Sequence, residues 1–184
     1  MVTMVSGKYI ELGLWMGFVA TVAGANWALA TYGIVSIGFG LTAPAGAYFA
    51  GLAFTLRDLL HERGGRLWIL SAIITGAALS GLLEDAQRFA LASGTAFLLS
   101  ELADWTIYSP LRRKGWALAV VSSNLVGLIV DSVLFLWLAF GSLAFIEGQV
   151  IGKAYMTIVA IVVMWIAHYI RKGRRDSDRY SGVQ

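Results

Sequence analysis

Three acidic residues occupy positions where a membrane-spanning helix would normally carry none. Glu101, Asp104 and Asp131 lie inside long, otherwise apolar stretches of the chain. An acidic residue at the centre of a transmembrane helix costs roughly 3 kcal/mol on insertion scales, so such residues normally face a polar cavity or a charged partner. We therefore expect these carboxylates to line an internal site.

Helical spacing brings further side chains onto the same faces as these carboxylates. Phe97 precedes Glu101 by four residues, and Asn124 precedes Asp131 by seven, so each pair shares a helix face. Lys153 begins the last apolar segment, where it could offset the charge of Asp131, and two more candidates lie in the first segment. The predicted substrate site has eight residues: Asn26, Trp27, Phe97, Glu101, Asp104, Asn124, Asp131 and Lys153.

The chemistry of this set favours a ligand that donates hydrogen bonds. Ionised carboxylates only accept hydrogen bonds, and the amides add further acceptors. A flat heterocycle could also stack on Trp27 or Phe97. A guanine-like base fits this description, because its N1–H and 2-amino group can both bond one carboxylate. A cation or an amine would also fit, so these residues alone leave the ligand open.

The elements that carry these residues are predicted to be six transmembrane helices. Apolar residues make up 58% of the 184, against about 45–50% in a soluble domain. Residues 12–56 carry no charge, which is room for roughly two spans of about 20 residues. The fold class is therefore all-α and polytopic, with a single membrane domain over residues 1–170 and a polar tail over 171–184. The predicted helices are Leu12–Tyr32, Ile37–Leu56, Leu67–Leu83, Phe89–Tyr108, Trp116–Phe140 and Gln149–Ile170.

Basic residues indicate the orientation of these helices. Most of the 14 Lys and Arg residues fall in alternate connections and at the two ends, and we count Arg57 among these orientation charges. Only Arg88 and Lys153 lie on the other side. Because cytoplasmic loops are enriched in Lys and Arg, both termini are predicted to be cytoplasmic in a cell membrane protein.

Several functional classes are disfavoured by composition. The chain has no cysteine and two histidines, and it lacks an HExxH motif and a Ser–His pairing, so neither an enzyme nor a metal site is predicted. No cofactor is expected. The basic residues lie where orientation signals belong, so nucleic acid is not an expected partner. The expected partners are a purine-like base and the lipid bilayer, and a homo-oligomer stays open.

Three segments together resemble a known transporter family. They are Ser100–Arg112 (SELADWTIYSPLR), Ser122–Gly141 (SSNLVGLIVDSVLFLWLAFG) and Gly148–Thr157 (GQVIGKAYMT), and the resemblance also touches Asn26 and Phe54–Arg57 (FTLR). In this order and spacing they are similar to the VUT family, whose members are called queuosine precursor transporters.

The resemblance implies a fold like the substrate-binding components of energy-coupling-factor transporters. It implies uptake of 7-deazaguanine bases, namely 7-cyano-7-deazaguanine, its aminomethyl form or queuine, without a dedicated ATPase module. The polar motif positions of the family fall on five of the residues named above. The alternatives are a binding component for another vitamin that needs an energising ATPase module, and a structural membrane protein without a substrate. The five motif positions are Glu101, Asp104, Asn124, Asp131 and Lys153.

Overall fold

The chain folds into six α-helices and one β-hairpin in the part that the structure describes. This computed structural model describes residues 2–111 and 113–181. A short 3₁₀ turn, Glu84–Ala86, precedes the fourth helix. In chain order the elements are α1 (Val2–Tyr32), β1 (Ile34–Gly38), β2 (Leu41–Pro44), α2 (Ala47–Gly64), α3 (Arg66–Gly81), α4 (Gln87–Leu111), α5 (Trp116–Phe140) and α6 (Ile146–Ser181).

The all-α class is confirmed, while the number of membrane spans stays a prediction. Two of the described helical stretches, Lys8–Tyr32 and Ser122–Phe140, are long and apolar enough to cross a bilayer. The third helix, Arg66–Gly81, is apolar but shorter. The last helix continues to Ser181, so its backbone extends through most of the predicted polar tail.

The prediction that the second helix begins at Ile37 is wrong. Residues 34–44 form an antiparallel hairpin in which Ile34 pairs with Pro44, and α2 begins only at Ala47. The turn between the strands contains Gly38 and Gly40, both with positive φ, a conformation that glycine adopts without steric cost. The uncharged run therefore includes a hairpin that hydropathy alone does not separate from helix.

Two helix ends also lie beyond their predicted positions. Helix α2 continues past Leu56 to Gly64, so Arg57 lies within the helix instead of after it. Helix α4 includes Pro110 and ends one residue later at Leu111. Proline removes a backbone donor and disfavours continuation, which is consistent with the helix ending there.

Close packing of α2 against α6 positions the candidate site. A Cβ added at Gly51 of α2 would overlap the backbone carbonyl oxygen of Lys153, so only glycine allows this approach. Helices can approach most closely where small residues face each other. The contact fixes the Lys153 backbone against α2 and directs this part of α6 into the helix bundle.

Candidate functional site

Two buried polar clusters lie between the helices, and each contains one basic side chain. The first, called the Lys153 cluster, consists of Lys153 on α6 with Asp131 and Ser132 on α5. The Lys153 side chain is 0% exposed and Asp131 is 3% exposed. The Lys153 ammonium forms a salt bridge with Asp131 and donates a hydrogen bond to Ser132 Oγ at 2.8 Å. This cluster has one positive and one negative charge, the pairing expected from the sequence.

The second, called the Arg57 cluster, consists of Arg57, Asp58, Glu101, Asp104 and Asn124. Its guanidinium donates to Asp58 Oδ1 at 2.7 and 3.0 Å, to Asn124 Oδ1 at 2.8 Å and to Glu101 Oε2 at 3.2 Å. Asn124 Nδ2 in turn donates to Asp58 Oδ2 at 3.3 Å. Asp104 lies beside the group, since a Cβ added at residue 127 would be 3.8 Å from both Arg57 Nη1 and Asp104 Cβ.

The interpretation of Arg57 as an orientation charge is wrong. Its side chain is only 2% exposed and is held by acceptors from three helices. The one sequence signal for this role was its position near the end of an apolar segment, three residues after Phe54. Because many cytoplasmic loop arginines share that position, the signal was too weak to identify a buried partner for Glu101.

Phe54 lies between the two clusters. The Arg57 guanidinium carbon is 5.0 Å from the centre of the Phe54 ring, and the Lys153 ammonium is 5.7 Å from the same centre. Phe54 also stacks on Phe97, with ring centres 5.4 Å apart and an angle of 28° between the planes. Both cations therefore lie near the same Phe54 ring, and cation–π attraction contributes about 0.5–2 kcal/mol in such sites.

A cavity adjoins the Lys153 cluster and contains three of the predicted site residues. Asn26, Phe97 and Asp131 line it, together with Gln149 at the start of α6. Much of the remaining wall is small: Ala25, Gly46, Ala47, Ala50 and Ala53. Its inner volume is about 30 Å³, room for roughly two water molecules in this conformation.

The polar atoms of this cavity are mainly hydrogen-bond acceptors. The Asn26 amide nitrogen donates to Ser80 Oγ and to Ser93 Oγ, both at 2.9 Å, so its donors are already used within the protein. Gln149 is 2% exposed, and its Oε1 has no hydrogen-bond partner among the described residues. Sequence reasoning missed Gln149, which was placed only as the first residue of a helix.

The eight predicted residues therefore divide into three groups. Asn26, Phe97 and Asp131 line the cavity, with Lys153 held against Asp131. A second group is in the Arg57 cluster, outside the cavity wall: Glu101, Asp104 and Asn124. Trp27 lies apart from both groups. Its side chain is 47% exposed and contacts Tyr32 edge-on at 5.8 Å, so it does not line this cavity, and its stacking on a ligand stays a prediction.

Comparison with known families agrees with a transport role for this arrangement. Residues 14–170 match the family model described as "Putative vitamin uptake transporter". The chain belongs to this family. The matched region extends from α1 to α6 and includes both clusters and the cavity. Membership in a transporter family, together with the two long apolar helices, indicates a membrane protein that is not an enzyme. No curated protein and no solved structure matches the chain.

Proposed function

We propose that the protein takes up queuosine precursors, 7-deazaguanine bases such as 7-cyano-7-deazaguanine, its aminomethyl form or queuine. The observation that carries this proposal is the cavity lining, which combines Asp131, Gln149 and Asn26 with two phenylalanine rings and includes Gln149 Oε1, an acceptor without a partner among the described residues. A buried acceptor without a donor, such as Gln149 Oε1, is costly, so a ligand that presents N–H groups to this wall is favoured. A deazaguanine base presents such groups along one edge.

Each cavity residue has a role in this proposal. Asp131 accepts the N1–H and the 2-amino group of the base, and charge-assisted hydrogen bonds of this kind are the stronger ones. Lys153 holds that carboxylate in place through their salt bridge. Gln149 and Asn26 accept from the remaining donors, and Phe97 stacks on the ring face. The small residues of the wall leave room for a flat molecule.

The observed cavity is too small for a two-ring base, so binding requires the helices to separate. Transporters commonly expose a site near the middle of the membrane to each side in turn, by rocking one group of helices against another. We propose that all six helices span the membrane with both termini in the cytoplasm. In that orientation the cavity lies towards the outer side, and the Arg57 cluster lies towards the cytoplasm.

Uptake into vesicles tests the substrate class. Purified protein in vesicles without nucleotide is expected to take up labelled 7-cyano-7-deazaguanine, and unlabelled queuine or aminomethyl base should compete while a vitamin such as biotin should not. Asp131→Asn should abolish uptake. Because it also leaves the buried Lys153 ammonium without its carboxylate, uptake is compared at equal amounts of folded protein, measured by thermal melting. Glu62→Gln, at an exposed position on α2, is the matched control. Normal uptake by Asp131→Asn would remove the proposed site.

A second candidate function is supported by the family description, which names vitamins in general. In that case the chain is a binding component for another vitamin and depends on an energising ATPase module. Uptake of the deazaguanine base without ATP excludes this candidate. Co-purification of an ATPase complex, with vitamin binding and no competition by any deazaguanine, would establish it instead.

A further inference from the structure

The Arg57 cluster is unbalanced in charge, unlike the Lys153 cluster. Three carboxylates surround its single guanidinium: Asp58 and Glu101 bond it directly, and Asp104 lies beside it. With all three ionised, negative charges exceed positive ones by two. His61, one turn after Asp58, is close enough to act electrostatically on Glu101. Asp58 is 45% exposed, so the buried part of the cluster holds one guanidinium against two carboxylates. A buried charge without a partner is expensive, because its removal from water is not offset by attraction.

Two carboxylate oxygens in this cluster have no hydrogen-bond partner among the described residues. They are Glu101 Oε1 and Asp104 Oδ1, on side chains that are 1% and 7% exposed. The guanidinium donors are directed elsewhere, towards Asp58, Asn124 and the other oxygen of Glu101. A proton bound at either free oxygen would remove one excess charge and turn an acceptor without a donor into a hydroxyl group.

The charged and polar groups described in and near this cluster come from several helices. Arg57, Asp58 and His61 lie on α2, and Asn124 on α5. On α3, Arg66 lies over the Trp105 ring at 4.4 Å. None of the hydrogen bonds described for these groups reaches Glu101 Oε1 or Asp104 Oδ1, so a bound proton competes with no existing donor.

We infer that Glu101 and Asp104 form a proton-binding site that couples uptake of the base to a proton gradient. The inference rests on the proposed function for its cargo. One proton binds to a free carboxylate oxygen, giving a neutral carboxyl group, and is released again as a proton on the cytoplasmic side. The side chain of Asp58 is 45% exposed, so it connects the cluster to water. A metal cation is a poorer fit, because hard cations require several oxygen ligands and only two are free here.

The aromatic pair provides a contiguous link between the proton site and the cavity. Protonation of Glu101 weakens its attraction to Arg57, whose guanidinium lies over Phe54. Phe54 stacks on Phe97, which lines the cavity. Coupling between sites is carried by packed side chains of this kind when they can adopt two arrangements. Protonation of Glu101 and binding of a base in the cavity therefore both act on Phe54 and Phe97.

Two measurements in vesicles, exchange of the base and its accumulation, distinguish proton coupling from binding of the base. The wild-type protein should exchange labelled for unlabelled 7-cyano-7-deazaguanine without a gradient, and should accumulate it when the outside is acidic. Glu101→Gln and Asp104→Asn should retain exchange within about threefold but lose accumulation. Glu62→Gln, an exposed carboxylate on the same helix as Arg57, should behave like the wild type. The inference would be overturned if both variants lost exchange as well as accumulation. It would also be overturned if the wild type accumulated the base along a sodium gradient instead of a proton gradient.

An infrared titration of the purified protein tests the proton site without any cargo. The wild type should show the carbonyl band of a protonated, buried carboxylic acid, and Glu101→Gln or Asp104→Asn should remove it. A band unchanged in both variants, or absent from the wild type, would overturn the inference. Failure of the wild type to exchange any deazaguanine would instead contradict the proposed function, so the two failures are distinguishable.

Discussion

The cations of the Lys153 and Arg57 clusters are similarly buried, but the two clusters differ in the balance of positive and negative charge. In the Lys153 cluster one ammonium meets one carboxylate, and a hydroxyl group accepts a further hydrogen bond. In the Arg57 cluster one guanidinium meets three carboxylates, and two carboxylate oxygens lack a donor among the described residues. This difference in charge balance indicates that the two buried cations have different roles. We propose that the balanced pair holds an acceptor in place for a ligand and that the unbalanced group binds and releases a proton.

The largest expected effect comes from removal of the cation in the balanced pair. Lys153→Met leaves Asp131 buried without a partner, and breaking a buried pair in this way costs about 3–5 kcal/mol. We expect loss of folded protein and of uptake, measured by chemical unfolding in detergent and by vesicle assay. The double variant Asp131→Leu/Lys153→Met should recover most of the stability but no uptake. Wild-type stability of the single variant would contradict the balanced-pair interpretation.

A smaller effect is expected from exchange of the cation in the unbalanced cluster. Arg57→Lys keeps the charge but loses the planar fork that bonds Asp58, Asn124 and Glu101 together. Loss of one or two charge-assisted hydrogen bonds should lower the free energy of unfolding by about 2–3 kcal/mol. Thermal melting with and without added base measures the change. An unchanged melting temperature would mean that the guanidinium geometry does not hold this cluster.

The neutral partners of the two cations provide a finer comparison. Asn124 accepts from Arg57 and donates to Asp58, whereas Ser132 only accepts from Lys153. Asn124→Leu should therefore cost about 2 kcal/mol and Ser132→Ala about 1 kcal/mol, at about 1 kcal/mol per hydrogen bond. Unfolding of both variants under one set of conditions tests the order. The reverse order would contradict the assignment of the Asn124 bonds.

The smallest expected effect is at Trp27. Because this side chain lies outside both clusters and the cavity, Trp27→Leu should leave the uptake rate within about twofold of the wild type. Its removal also leaves the hydrogen bonds of the neighbouring Asn26 intact. The measurement is the initial rate of uptake at equal protein content. A loss of tenfold or more would place Trp27 in the binding site after all.

Burial of the acidic residues could be predicted from the sequence, but their separation into two clusters could not. The insertion cost identifies Glu101, Asp104 and Asp131 as inward-facing, and all three are buried. Which helix faces which, however, depends on helix rotation and packing, and a single helical period does not determine them. Gln149 was missed because one amide near a helix end has no distinguishing pattern.

The accuracy of the predicted elements also follows from physical signals. The limits of α5, Trp116–Phe140, were predicted as the structure has them, because glycines flank a continuous apolar segment. The hairpin before α2 was not predicted, since its strands are as uncharged as the helices around them. The end of α2 was placed too early for a related reason, because Arg57 was expected to mark a loop.

The most direct measurement is calorimetric binding of 7-deazaguanine and of the same base without its 2-amino group. The cavity interpretation predicts one binding site, with about tenfold weaker binding of the second ligand for the loss of one hydrogen bond to Asp131. The Gln149→Leu variant should bind 7-deazaguanine about tenfold more weakly than the wild type does, and it should melt at the same temperature as the wild type. Equal affinity for both ligands, together with unchanged binding by this variant, would contradict the account.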